Sequence, residues 1–255
     1  MKKIIFLLFT VSTLAAYSQK TDLVTVNTVK PKKGQKMAFE AAYKVHIAKF
    51  HKGDEKLNVY EIISGPNSGT YHLVSSGRSY ADFDKERADA AVHSLDLDKT
   101  FYPMLDETMN GTYRMVDSLS TRPSTNSGVE AFSVTVRHLK QTLNAGDYTR
   151  ELARGAKINV VVKSAFFDNL SVNVYDQLWD GSDQVTVSIR SLKDGFKSLE
   201  QGYYANAPAG SPSWRDEYVK AYGHTAWDER VKVMDGAVEK MEQYIMKWRK
   251  DLSSQ

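Results

Sequence analysis

Cysteine is absent from the 255 residues, proline occurs only 6 times, and neither charge sign dominates, with 34 Lys+Arg against 31 Asp+Glu. Without cysteine there is no disulfide framework and no thiolate metal ligand. The near balance of charge argues against a partner held by phosphate contacts, so no nucleic acid is expected. Histidine is sparse, and its six copies are scattered with no His-x-His or HExxH spacing, so no metal is expected. Asp82-x-Asp84 and Asp96-x-Asp98 lack the glycine and terminal glutamate of a calcium loop. No GxGxxG, P-loop or Gly-x-Ser-x-Gly occurs either, so no cofactor is expected. What is present is ordinary: 42% hydrophobic and 25% charged residues, enough apolar mass for a folded core and too much for a disordered chain.

Long apolar runs are missing beyond the first residues. Met1-Lys2-Lys3, the apolar stretch Ile4 to Ala16 and the small-x-small triplet Ala16-Tyr17-Ser18 have the order of a secretory leader. The stretch is shorter than the roughly 20 residues a membrane span needs. Residues 1–18 are therefore expected to be cleaved, leaving Gln19 first. No cysteine is available there for acylation, so the protein is expected in a bacterial periplasm or outside the cell, not as a lipoprotein and not inserted in a membrane.

Internal similarity organises the rest. Asn58-Val59-Tyr60-Glu61 recurs as Asn173-Val174-Tyr175-Asp176, and Val24-Thr25-Val26 recurs as Val134-Thr135-Val136. Each NVY tetrapeptide is followed by a Gly/Ser/Asn/Asp turn, then a strand-like run (Thr70 to Val74 and Val185 to Ile189), then a helix start near Tyr80 and Leu192. An insertion of five residues accounts for the difference in spacing. Ser118 to Gly128, with six Ser/Thr in eleven residues, reads as a linker. The expected division is a first repeat over 19–117, a linker over 118–128 and a second repeat over 129–255, with an aromatic insertion at 202–223.

Within the first repeat, Leu23 to Val29 is β-branched and predicts a strand closed by Pro31 and Gly34. Phe39, Tyr43, His46, Ile47 and Phe50 share one face of a helix over about 35–52. Asn58 to Ser64 predicts a second strand in a hairpin with the third. Helical segments are expected from Tyr80 to about Met109, interrupted before Pro103, and a fourth strand over 112–120. The second repeat is expected to follow suit, with a longer loop over 141–148 and a final helix in place of a strand. In that helix Trp227, Met234, Met241 and Trp248 recur every seven residues, as do Val231, Val238 and Ile245, an a/d stripe over three heptads. Such a stripe serves ordinary packing or a dimer seam, so the state expected is a monomer (pseudo-dimer) or a homodimer. The order is βαββα with a last β, a ferredoxin-like unit occurring twice.

Two such units, over about 22–84 and 132–199, resemble the dimeric α+β barrel superfamily. Within it the chain is most similar to NIPSNAP and antibiotic-biosynthesis-monooxygenase domains. The resemblance implies an α+β fold, a fused pseudo-dimeric barrel of two tandem βαββα(β) units plus a long C-terminal helix. The Asn, Trp and His set of haem-degrading relatives has no match here.

Candidate chemistry rests on few residues. His46, on the apolar face of the first helix, is a candidate general base or ligand anchor, or a hydrogen-bonded core residue. Glu61 and Asp176 occupy the same repeat position, where two carboxylates across a pseudo-twofold would share a proton, unless each pairs with a nearby cation. Arg137 and Arg190 would bind an anionic group or pair with Asp176. Tyr203, Tyr204, Trp214, Tyr218, Tyr222 and Trp227 crowd 25 residues, as a mobile lid over a pocket would, or as a cluster gluing the last helix to the barrel. Three functions compete: an exported binding protein for a small aromatic or apolar ligand, gripped by His46, Glu61, Arg137, Asp176, Trp214 and Tyr218; a cell-envelope interaction module; and a cofactor-independent monooxygenase-like enzyme.

Overall fold

A computed structural model describes residues 23–120, 128–140, 145–166, 172–179, 184–192, 194–200, 210 and 212–255. The leader, most of the linker, and Tyr203 and Tyr204 lie outside the described residues. Eight antiparallel strands close into a barrel: β1 Leu23–Pro31, β2 Asn58–Ser64, β3 Tyr71–Arg78, β4 Leu105–Met115, β5 Ala131–Leu139, β6 Val172–Trp179, β7 Gln184–Leu192 and β8 Val238–Trp248. Around the barrel they run β1-β3-β2-β8-β5-β7-β6-β4. Helices α1 Lys36–Phe50 and α2 Ala90–Thr100 belong to the first half of the chain, and α3 Ala145–Phe166, α4 Lys197–Glu200, α5 Trp214–Tyr222 and α6 His224–Ala237 to the second.

The two halves use their strands alike. In each, the first strand lies between the third and the fourth, and the fourth crosses to the second strand of the other half: β4 pairs with β6, β8 with β2. Closure removes every open sheet edge.

The strand period of two sorts the side chains. Val24 and Val26 on β1, Asn58 and Tyr60 on β2, and Val134 and Val136 on β5 face the interior. Their neighbours face the helices. Val59, Tyr71 and Leu73 form the floor on which Phe39, Tyr43 and Ile47 of α1 pack, with Phe101 and Leu252 at the margins. The five residues expected to share one face of α1 are all buried.

The C-terminal stretch departs from the expected long helix. The helix stops at Ala237, one residue after Gly236, and Val238–Trp248 is β8. Tyr244, Met246 and Trp248 alternate into the interior, whereas Met241 is 56% exposed on the other face. The heptad stripe therefore splits, because seven is an odd number and reverses the face in a strand. β8 pairs with β2 and β5, hydrogen bonding that a helix there would leave unmade. The turn before β3 is fitted to it. Gly65 has φ +103°, and a Cβ built there would lie 2.7 Å from the Gln243 carbonyl oxygen and from Tyr244 Cβ.

Two other boundaries shift. β4 begins at Leu105, so the helical reading that ran to Met109 ends at Pro103, which starts a short turn instead. α3 begins at Ala145, inside the stretch expected to be a loop.

Candidate functional site

Inside the barrel lies a cavity of about 390 Å³. Its wall is mainly apolar, built by Val, Ile, Met and Phe side chains from strands of both halves, and no Lys, Arg, Asp or Glu lines it among the described residues. An eight-stranded barrel is wide enough to be filled by its own side chains or to hold one small ligand. Here space remains.

The polar groups on the wall are few. Asn58 and Tyr60 enter from β2, Asn173 and Tyr175 from β6, His72 and Ser76 from β3, and Tyr113 and Tyr244 from β4 and β8. His72 Nδ1 lies 2.9 Å from Thr28 Oγ1 and Nε2 lies 3.2 Å from the Tyr244 hydroxyl. Burial pushes the His72 imidazolium down to a pKa of about 4, so the ring is neutral at pH 7. The Tyr60 phenol is pushed up to about 12, by burial first and by Tyr175 second. Burial raises Tyr244 further still, so both hydroxyls keep their protons. Asn173 lines the cavity, and its Oδ1 is buried with no hydrogen-bond partner.

The residues singled out from the sequence lie elsewhere, for one recurring reason. Glu61 and Asp176 follow Tyr60 and Tyr175 by one position, so the strand turns them to the helix side. Glu61 accepts from Arg249 (2.8 Å) and Lys36 (2.5 Å), while Arg249 also holds Glu40 at 2.6 Å. That guanidinium, above all, keeps the Glu40 carboxyl below its ordinary range. Asp176 stands opposite Arg114 on β4 and Thr186 on β7, and burial raises its pKa against the pull of Arg114. The two acids occupy separate helix-facing positions and are not a shared-proton pair. Arg137 Nη1 donates to Ser188 Oγ at 2.9 Å, also on the helix side. Arg190 pairs in register with Ser133 and Val172.

The aromatic group is a packed cluster outside the barrel. Trp214, Tyr218, Tyr222 and Trp227 of α5 and α6 pack with Ile158 and Val162 of α3. Trp214 Nε1 donates to Asn159 Oδ1 at 2.8 Å, and Arg230 stacks 4.8 Å from the Trp214 ring. Tyr218 donates at 2.5 Å to Glu151, a fully buried carboxylate that also holds Arg154 at 2.9 Å. Neither Trp214 nor Tyr218 lines the cavity, because α3 lies between them and a sheet whose other face is the interior.

His46 is buried on α1 but reaches a different set of groups. Its Nδ1 lies 2.7 Å from Asp96 Oδ2, and its Nε2 lies 3.2 Å from Nε2 of His51. His51 Nδ1 bonds the Glu55 carbonyl at 3.0 Å, and His93 Nε2 lies 3.4 Å from His51 Nε2. One nitrogen from each of the three rings falls within 4.8 Å of the others. The histidines that look scattered in sequence are half gathered, since α1 packs on α2. Spacings of five and 42 residues match no metal motif, so only the tertiary contact reveals them.

The cavity residues did leave a sequence signal. The repeated Asn-Val-Tyr places both asparagines and both tyrosines on the wall. The motif reaches the wall through its asparagine and tyrosine, and the acid after it faces the helices.

No family model matches the sequence, and no curated protein matches it. Solved structures do match its fold. An anthrone oxidase-like protein shares 12% identity, with 91% of this chain and 93% of that one covered and a TM-score of 0.55. A candidate monooxygenase from Fusobacterium nucleatum shares 9%, covering 89% and 92%, at 0.53. Another from Lactobacillus acidophilus NCFM shares 9%, covering 89% and 93%, at 0.50. These likenesses are of fold alone, and each runs along nearly the whole of both chains.

Proposed function

We propose that the barrel interior takes up one flat, hydroxyl-bearing aromatic molecule, and that the protein works on it as a cofactor-independent monooxygenase. The observation that carries the reading is the cavity itself: an uncharged, mainly apolar wall with a few amide and hydroxyl groups, Asn173 among them. A phenolic or enolic hydroxyl would donate to the Asn173 amide, whose Oδ1 has no partner and would turn to meet it, while Tyr60, Tyr175 and Phe132 would pack on the ring. Burying an acceptor unsatisfied costs about 1–3 kcal/mol, so a ligand that pairs with it gains specificity as well as affinity.

The names of the structural neighbours suggest the chemistry. Of the two kinds of domain the sequence resembles, the monooxygenase kind is the one they favour. The reaction envisaged is oxidation of an activated methylene. One atom of dioxygen replaces the two hydrogens as C=O, and these leave with the second oxygen atom as water. His72 and Tyr244 are the groups placed to receive and return a proton. We further propose that the two halves arose by duplication and that the protein acts outside the cytoplasm, on the strength of its repeats and its leader.

A second reading is a carrier without catalysis. It is favoured by the low basicity of His72 and by the engagement of both its ring nitrogens.

One experiment separates them. A hydroxylated anthrone is titrated into the protein with tryptophan fluorescence as the signal, and oxygen uptake and ketone formation are then followed. Saturable binding at one per chain is expected, lost in Val134→Trp, which fills the cavity, and weakened about tenfold in Asn173→Leu. Binding without oxygen uptake supports the carrier. No saturable binding of anthrone or of hydroxylated anthrones overturns both readings.

A further inference from the structure

The contact between His46 and His51 does not close on itself. A backbone carbonyl can only accept, so His51 must carry its proton on Nδ1 to bond Glu55. Asp96, whose carboxyl is held below its ordinary range chiefly by His46, likewise accepts from His46 Nδ1–H. Each neutral ring has then spent its one proton. Nε2 of His46 and Nε2 of His51 meet at 3.2 Å as two bare lone pairs. Both rings are buried, at 2% and 8% exposure, so water does not readily intervene. A cation between them resolves the contact.

From this geometry we propose that His46, His51 and His93 form a binding site for one divalent transition-metal ion of the zinc class, between α1 and α2 and separate from the barrel cavity. Three lines of geometry support it. A tetrahedral ion with metal–nitrogen bonds of about 2.05 Å sets its ligands about 3.3 Å apart; two of the three separations are 3.2 and 3.4 Å, and the third lies within 4.8 Å. The outer nitrogens of His46 and His51 are held by a carboxylate and a carbonyl, the partners that orient metal-bound imidazoles. His93 is only partly buried, which provides an entry path and leaves a fourth coordination position for water.

The surrounding charges are compatible with an ion. Arg87 is near enough to depress all three imidazolium forms, second to burial or below it. Its guanidinium is itself engaged by Glu55 and Asp89, each at 3.0 Å. Lys49 lies 3.7 Å from the second oxygen of Asp96. One carboxylate, Asp96, thus stands in the shell behind the rings.

The test uses the full chain, stripped with chelator and dialysed against Zn²⁺ or Co²⁺. One equivalent of Zn²⁺ is expected, with cobalt giving the visible absorption bands of low-coordinate Co²⁺. Uptake should be lost in His51→Gln and His93→Gln, weakened 10–100-fold in Asp96→Asn, and unchanged in His138→Gln and His224→Gln. Folding of each variant is checked by circular dichroism. Absence of stoichiometric uptake by the folded wild type, or uptake that survives both ligand substitutions, overturns the proposal. An independent measurement does not rely on variants: ¹⁵N shifts of the metal-free protein should place the ring protons on Nδ1 of His46 and His51. A proton on Nε2 of either would mean a shared-proton relay and would overturn it as well.

Discussion

The two flanks of the barrel occupy like places in the fold and contain opposite chemistry. On the α1 and α2 flank lie Phe39 stacked on Tyr43, Phe101 edge-on to both, and three imidazoles backed by Asp96. Under α5 and α6 lies the carboxylate of Glu151, on α3, fully buried among Arg150, Arg154, Arg230 and the Tyr218 hydroxyl. The sheet requires only an apolar contact face from each flank, and both provide one. What sits beside that face is unconstrained by the fold and so can specialise. In one flank the buried acid is surrounded by donors. The other keeps unused lone pairs.

The sharpest way to break this contrast is to remove a member from each side. Glu151→Ala strands the charges of Arg154 and Arg230 in a closed site and is expected to cost about 3–5 kcal/mol. His93→Gln, in metal-free protein, removes a half-buried ring with one long nitrogen contact and ring packing on His46, Phe50 and His51, and is expected to cost about 1 kcal/mol. Urea midpoints of the two variants decide it. Equal losses would mean that the imidazole cluster is as structural as the charged one.

The barrel interior gives the next largest effect, through pH. His72 titrates near 6.5 when unfolded and near 4 when buried, with Tyr244 its titratable neighbour. Between those values the unfolded chain takes up the proton and the folded chain does not. Stability is therefore full above about pH 6.5 and falls as pH drops toward 4, by on the order of 2–3 kcal/mol for this group. His72→Gln should remove that part of the acid sensitivity. Unfolding curves at pH 7.5 and 4.5 for both proteins provide the difference, and identical slopes would show that His72 is hydrated or protonated in the fold.

How far the molecule could be read from its sequence depends on what kind of signal each element leaves. β2 was legible to the residue, and all five positions of the α1 stripe are buried, because local periodicity sets both. The Asn-Val-Tyr repeat marked the cavity wall on both sides, but it does not say which face of the strand is inward. Glu61 and Asp176 stand one position beyond Tyr60 and Tyr175 and so face away from the cavity. Residues 238–248 satisfied a seven-residue helical spacing and a two-residue strand spacing at once. Only the unpaired sides of β2 and β5 settle the matter, and those are distant in sequence. The histidine cluster left no local trace at all, since a helix–helix contact creates it.

The same difference between filled and spare room recurs at two glycines, one beside the middle of β8 and one just before its start. Gly65 is pinned by its positive φ and by a contact that leaves no space for a methyl group. Gly65→Ala is expected to cost at least about 2 kcal/mol, from left-handed backbone strain plus displacement of β8. Gly236, near the end of α6, has an ordinary φ and nothing within 4 Å of a Cβ built there. Glycine in a helix interior is worse than alanine by about 0.5–1 kcal/mol, and the nearby helix end takes part of that away. Gly236→Ala should therefore stabilise the protein by a few tenths of a kcal/mol, read as a rise in the urea midpoint at constant slope. A loss instead would mean that the switch from helix to strand at Ala237 needs glycine's freedom, and that β8 reaches its place by a backbone movement an alanine would hinder.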